Sequence, residues 1–291
     1  MRAAEGTLPR PAGGLRGETG PAVRRRRFRP GLLYLAGSGL LVLVALAGPW
    51  LAAHDPNAVD LAQRLEGPSG AHPLGTDHLG RDLLSRLLHG GRTALILGLL
   101  AVLGSIVLAS LTGGLAGYFG GVVDLGLSAV FNILLTVPGL ILTLAILGVA
   151  GTGHLSLLVA LIGADWAGQA RVVRGAVLEA REQGYVEAAR VMGARDLTVL
   201  LRHIMPNVAG TIAILATLDL AGVLLTVTSL SFLGIGVQPP QADWGTMLND
   251  SRPFAGTQPQ LMLLPGICIV LYAVAANLAG DALRDLLDPR K

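Results

Sequence analysis

Lysine is almost missing from this chain. Among 291 residues the only one is Lys291; every other strongly basic residue is an arginine. A Walker A loop needs a lysine inside a glycine-rich turn that opens a helix, so ATP hydrolysis by that route is excluded, and a lone terminal lysine argues against Schiff-base chemistry. Cysteine is equally scarce: Cys268 stands alone in an apolar run, which excludes an intrachain disulfide. Aromatic residues are 4% and charged residues 14%, while hydrophobic residues reach 52% and mean hydropathy is +0.61. So little charge argues against a soluble domain. What the chain has in plenty is aliphatic sequence and 40 glycines, the composition of helices that approach closely in lipid. The reading is an all-α integral membrane protein. Its isoelectric point near 9.5 comes from arginines beside apolar runs, which points to membrane orientation and not to nucleic acid.

Crossing a bilayer takes about 20 mostly apolar residues. About six stretches qualify: 32–52, 93–117, 122–150, 155–174, 208–231 and 261–280. Pro138 is expected to break or kink the third, and Asp165, Trp166 and Gln169 interrupt the fourth. Residues 1–30, with Arg24 to Arg27, read as a disordered basic cytoplasmic arm. A secretion signal built on Arg25-Arg26 is the alternative, and the later spans argue against it. Residues 31–92 hold the first span and an outer loop, 93–286 the core, and 287–291 a tail. With the arm inside, 17 of the 22 arginines and lysines fall on the inner side, so both termini are expected in the cytoplasm.

The outer loop contains HPLGTDHLGRDLLSRLLHGGR. Leu79, Leu83, Leu84, Leu87 and Leu88 share a helical face, with Arg81, Asp82 and Arg86 turned from it. That pattern predicts an amphipathic helix lying on the membrane interface. His72, Asp77, His78 and His89 offer weak metal-ligand spacing, and no metal site is expected there.

Between two apolar stretches stands YVEAARVMGARDLTVLLRHIMPN, from Tyr185 to Asn207. Tyr185, Ala188, Ala189 and Met192 recur at helical spacing and give one small apolar face, flanked by Glu187 and Arg190. Gly193 supplies the left-handed turn that ends this helix. A second helix is expected from about Arg195 to Met205, with Pro206 at the mouth of the next span. The pair serves either as a hairpin packed on its own span ends or as a shallow surface for another protein.

Glu187-Ala188-Ala189, followed by Gly193 and His203-Ile204-Met205-Pro206, resembles the EAA motif of ABC importer permeases. Met205 stands where leucine is usual. Leu74 to Asp77, Gly80 to Asp82, Ser85-Arg86, Ser231 to Gly234, Pro239-Pro240 and the Asn277 to Asp285 segment resemble C-type permeases of the dipeptide, oligopeptide and nickel branch. The resemblance implies a type I importer permease fold in the bacterial inner membrane. It implies a heterodimer with a B-type permease, two cytoplasmic ATP-binding subunits that carry the ATP-Mg, and an extracytoplasmic solute-binding protein. It implies no cofactor on this chain and no catalytic residue. The docking element for the ATPase would be Tyr185, Glu187, Ala188, Ala189, Met192, Gly193 and Pro206, in coupling helices at about 175–206.

For the solute, LATLD (215–219) and Thr257-Gln258-Pro259 look closest to nickel-type permeases, with a strictly peptide importer as the alternative. Asp219 falls midway along the fifth span, where an ionised group needs a cavity or a partner. It reads either as a translocation-pathway carboxylate or as a structural hydrogen bond. Asp165 is the second pathway candidate, with Arg171 as a candidate ion-pair partner. A gradient-driven secondary transporter is the competing class, and it requires repeated broken helices that the sequence does not display.

Overall fold

A computed structural model describes residues 30–287, with side chains from 36 to 286. Among these residues the regular structure is helical, without a β-strand. The helices are α1 (Pro30–Leu51), α2 (Leu83–Phe119), α3 (Gly121–Thr136), α4 (Gly139–Ala150), α5 (His154–Arg181), α6 (Gly184–Val191), α7 (Asp196–Thr198), α8 (Met205–Phe232), α9 (Trp244–Ser251) and α10 (Gln260–Leu287). Four segments are long and apolar enough to cross a membrane: α2, α5, Asp196–Phe232 and α10. The α3–α4 pair adds a fifth crossing as a broken span, and α1 supplies a further apolar helix, Ala36–Leu51.

The α3–α4 break shows proline's effect directly. Val137 leaves helical conformation (φ −95, ψ 130), Pro138 starts the next helix, and the two axes diverge by 93°. A proline ring disfavours helical backbone at the residue before it and cannot donate the bond that would continue the helix.

The central post is α2, 37 residues or ~55 Å long, against a hydrocarbon core of ~30 Å. It packs along α5 for most of its length. Gly113 and Gly117 make that approach possible. A Cβ on Gly117 would stand 2.8 Å from the Arg174 carbonyl oxygen, and one on Gly113 would collide with the Ala170 carbonyl. Around this seam Leu97, Ala101, Val102 and Ile106 of α2 meet Leu147 of α4, Leu157 and Leu161 of α5, and Val223 and Val227 of α8. Two further apolar clusters close the two ends of the post. One joins Leu83, Leu87 and Ala94 to Leu224, Trp244, Met247 and Leu261; the other joins Tyr118, Val173 and Val177 to Val186, Val199 and Ile204.

Two local expectations change. Residues 83–92 do not form a separate interfacial helix but are the opening of α2, and Arg81, Asp82 and Arg86 are buried where the pattern turned them to solvent. The reason is pairing with groups outside the helix, some close in sequence and some far. Arg81 Nε donates to Asp77 Oδ2 at 2.7 Å and its Nη2 reaches Asp250 at 3.4 Å. Arg86 lies 3.6 Å from the same Asp77 oxygen and donates to the Pro56 carbonyl at 3.0 Å. Asp82 caps α2 by accepting from the Ser85 N–H at 2.8 Å.

The second change concerns the helix after Gly193. It does not end before Pro206; α7 runs through a wide turn, Val199–Ile204, straight into α8. Within that turn the Met205 N–H bonds to the Leu200 carbonyl, five residues back. The widened turn accommodates Pro206, which has no N–H to give and whose ring crowds the preceding carbonyls. The basic arm (1–29) and the last tail residues (288–291) lie outside the described residues.

Candidate coupling surface and pathway residues

The end of α2 at Phe119 carries a small folded platform. The Tyr118 hydroxyl donates to Asp196 Oδ1 at 2.7 Å, fixing the start of α7 to the end of α2. The Arg181 guanidinium donates to the Tyr118 carbonyl at 3.0 Å, and the Arg190 guanidinium lies 5.3 Å from the Tyr118 ring centre. Asn207 donates to the Tyr185 hydroxyl at 2.8 Å, joining α6 to α8. These contacts make α6 part of a unit with the ends of three long helices.

Gly193 closes α6 at φ +84, a conformation that costs a residue with a Cβ about 1–2 kcal/mol. The Ala194 N–H returns to the Ala189 carbonyl at 3.1 Å and the Gly193 N–H to Arg190 at 2.9 Å. This double closure is the glycine-ended helix cap.

Orientation of α6 differs from the face read in the sequence. Val186 and Ala189 point inward and are fully packed, Ala189 at 2% exposure, so Ala189 is part of the platform's own core. The exposed face carries Tyr185, Glu187, Ala188, Val191 and Met192. Val191 and Met192 are 83% and 80% exposed, and Leu197 and Leu201 extend the apolar surface. Val191, Leu197 and Leu201 escaped sequence reasoning because they lie outside the Tyr185/Ala188/Ala189/Met192 stripe. Extending the helical register from Ala188 instead of Ala189 would have found Val191. Pro206 is exposed on the neighbouring turn.

Farther along the bundle, α5 and α8 bring three polar groups together. The Gln169 amide nitrogen donates to Asp165 Oδ2 at 2.9 Å and also to Asp219 Oδ2. Gln169 is buried, and its Oε1 has no hydrogen-bond partner among the described residues. Asp165 therefore shares Gln169 with Asp219, and Arg171 instead donates to Asn132 at 2.8 Å. The sequence marked both carboxylates as pathway candidates but Gln169 only as an interruption of its span, not as the amide that joins them.

At the Leu83 end of α2, a cavity of about 670 Å³ is lined by His89, Arg92, His154, Gln238 and Gln241 among others. His89 Nδ1 lies 2.8 Å from the Ser85 carbonyl, which can only accept, so Nδ1 carries the proton. Of the four polar groups flagged in the outer loop, Asp77 serves the two arginines and His78 stacks on Phe254 with ring centres 5.8 Å apart. His72 alone joins a group with donor atoms in common reach, together with His54 and Asp82. Burial works against the Asp82 charge, yet hydrogen bonds from Ser85 and His72 hold its carboxyl below the usual carboxylate range.

This architecture is that of an inner-membrane transport component. Residues 105–291 match the family described as Binding-protein-dependent transport system inner membrane component, and the chain belongs to that family. Its helical membrane fold is the type I ABC importer permease fold. The chain is 42% identical to the Nickel transport system permease protein NikC of Escherichia coli over 250 residues, covering 86% of this chain and 90% of that protein. It is 39% identical to the Glutathione transport system permease protein GsiD of Pectobacterium atrosepticum, over 91% of this chain and 89% of that protein. Identity to the Probable D,D-dipeptide transport system permease protein DdpC of Escherichia coli is 38%, over 86% of this chain and 84% of that protein. These relatives place it within the nickel and peptide branch of ABC permeases.

Proposed function

We propose that the chain is one permease subunit of an ATP-driven, binding-protein-dependent importer for nickel, a metal chelate or a short peptide. Its partners in this reading are a second, B-type permease, two cytoplasmic ATPase subunits that bind ATP-Mg, and an extracytoplasmic solute-binding protein. Both termini and the α6 platform lie in the cytoplasm, as the arginine asymmetry indicates.

The observation that carries the reading is the exposed apolar face of α6 on a base bonded to α2, α5 and α8. A face of Ala188, Val191 and Met192, with Glu187 at its edge, fits a groove on another protein. Because Tyr118, Arg181 and Asn207 tie that face to three long helices, a push on it is delivered to the spans as rigid-body movement. The Asp165–Gln169–Asp219 group supports a pathway that favours cationic solutes, since its two carboxylates share one amide. A gradient-driven transporter would need corresponding broken helices in two halves; α3–α4 is the one strongly bent pair among the described residues.

The test is reconstitution of the chain with the permease, ATPases and binding protein encoded beside it. Ala188→Phe and Val191→Asp should lower solute uptake at least tenfold while ATP hydrolysis and solute binding persist. Full uptake by both variants would overturn the docking assignment. Asp219→Asn should leave assembly intact and lower uptake of a cationic solute, and unchanged uptake would remove Asp219 from the pathway.

A further inference from the structure

His72 sits between two groups that both accept hydrogen bonds. Its Nε2 lies 2.7 Å from Gln63 Oε1 and its Nδ1 lies 2.9 Å from Asp82 Oδ1. A neutral imidazole carries one N–H. With that proton given to the Gln63 oxygen, the Nδ1 lone pair faces a carboxylate oxygen, and either a second ring proton or a metal ion between them relieves the opposition. The contact is not open to bulk water, since the His72 and Asp82 side chains are 11% and 3% exposed.

A third donor stands beside this pair. The His54 ring centre is 4.7 Å from that of His72, and its Nδ1 is 4.0 Å from Asp82 Oδ2. One ligand atom from each of His54, His72 and Asp82 lies within 4.8 Å of the others. Ligands around one transition-metal ion at ~2.0–2.2 Å must come closer than this, and the His54 side chain, 39% exposed, has the freedom to close in. The supporting contacts are already those of a ligand set. The Gln63 oxygen can take the His72 Nε2 proton and leave Nδ1 to an ion in place of its hydrogen bond to Asp82, Ser85 N–H holds one Asp82 oxygen at 2.8 Å, and the Ser85 hydroxyl receives the His54 backbone N–H at 3.3 Å. Arg81 and Arg86 are committed to Asp77, Asp250 and the Pro56 carbonyl, and do not neutralise Asp82.

We propose that His54, His72 and Asp82 form a binding site for one divalent transition-metal ion of the nickel, zinc or cobalt class. Two imidazoles and a carboxylate suit these ions, and three protein ligands leave positions for water or for a chelating molecule. The ion would fasten the segment between α1 and α2 to the first turn of α2, at the end of the post opposite the α6 platform. The site is independent of the solute assigned above, because it is read by binding to the chain and not by transport.

The test uses the full-length chain in detergent, purified on an affinity tag without histidine and titrated with nickel, zinc or cobalt chloride. One ion per chain is expected. His54→Ala and His72→Gln should each weaken binding more than tenfold, and cobalt absorption bands present in the parent should disappear. His78→Ala should bind as the parent does. His54 is half-exposed, so its variant stays folded even where His72→Gln does not; a melting curve confirms this. The proposal is overturned if the parent binds no more tightly than the double variant. It is equally overturned if nitrogen NMR in excess metal shows His72 still donating from Nδ1 to Asp82, as a rotated Gln63 amide would permit.

Discussion

The two ends of α2 solve opposite problems. At the Leu83 end, charge is buried and satisfied within the chain: Asp77, Arg81, Asp82 and Arg86 are all buried and bonded to one another, to Asp250 or to backbone. At the Phe119 end, the buried groups are apolar, and above them Val191, Met192, Leu197 and Leu201 remain exposed. The first end matches its buried arginines with acceptors from its own chain. The second presents a surface whose apolar area finds no cover among the described residues. A buried charge tolerates no missing partner, whereas an exposed apolar face leaves the chain folded and marks a surface for a partner.

The comparison breaks most severely at Asp77. Its carboxylate serves two buried guanidiniums and accepts the Leu79 and Arg81 N–H groups at 2.8 and 3.0 Å. Asp77→Leu should cost about 3–5 kcal/mol, the toll of leaving buried charge uncompensated. Unfolding in detergent, followed by the Trp244 fluorescence at that end, measures it. A loss near zero would mean that water already reaches the cluster.

Next in size is the seam that joins the ends. Gly117→Val puts methyl groups against the Arg174 carbonyl and Val177, whose Cβ is 3.0 Å from a Cβ built at Gly117. Overpacking of this kind costs about 1–3 kcal/mol. A lowered melting temperature with unchanged helix content is the expected result.

How far these features were legible depends on whether their causes are local. Pro138 announced the break between α3 and α4 because the clash is with its immediate neighbour. The glycine cap of α6 was equally readable, since φ +84 at Gly193 is a one-residue requirement. The opening of α2 was misread because Arg81 finds Asp250 across 169 positions, and no period contains that distance. The Asp165–Asp219 relation failed for the same reason: Gln169 bridges α5 to α8 across 50 residues, while Arg171 is merely near in sequence. Periodicity located the stripe on α6 but could not say which edge faces inward.

A smaller, local effect is expected at Gly193. Nothing lies within 4 Å of a Cβ built there, so the cost of Gly193→Ala is backbone strain alone, about 1–2 kcal/mol. Gly193→Asn should cost less, because asparagine tolerates this region. Hydrogen exchange confined to α6 and the following turn distinguishes this from a global loss.

The smallest stability effect carries the most functional information. Ala188 and Ala189 are adjacent and chemically identical, yet Ala188 is exposed and Ala189 is 2% exposed. Leucine at 189 must displace neighbours such as Val186 and Val199 in the platform core and should destabilise by about 1–3 kcal/mol. Leucine at 188 meets open solvent and should change stability by less than about 0.5 kcal/mol. If α6 is a docking face, the mild variant is the one that uncouples ATP hydrolysis from uptake in the reconstituted complex. If Ala188→Leu transports normally while Ala189→Leu fails only through instability, the exposed face has no partner, and the two ends of α2 differ in composition alone.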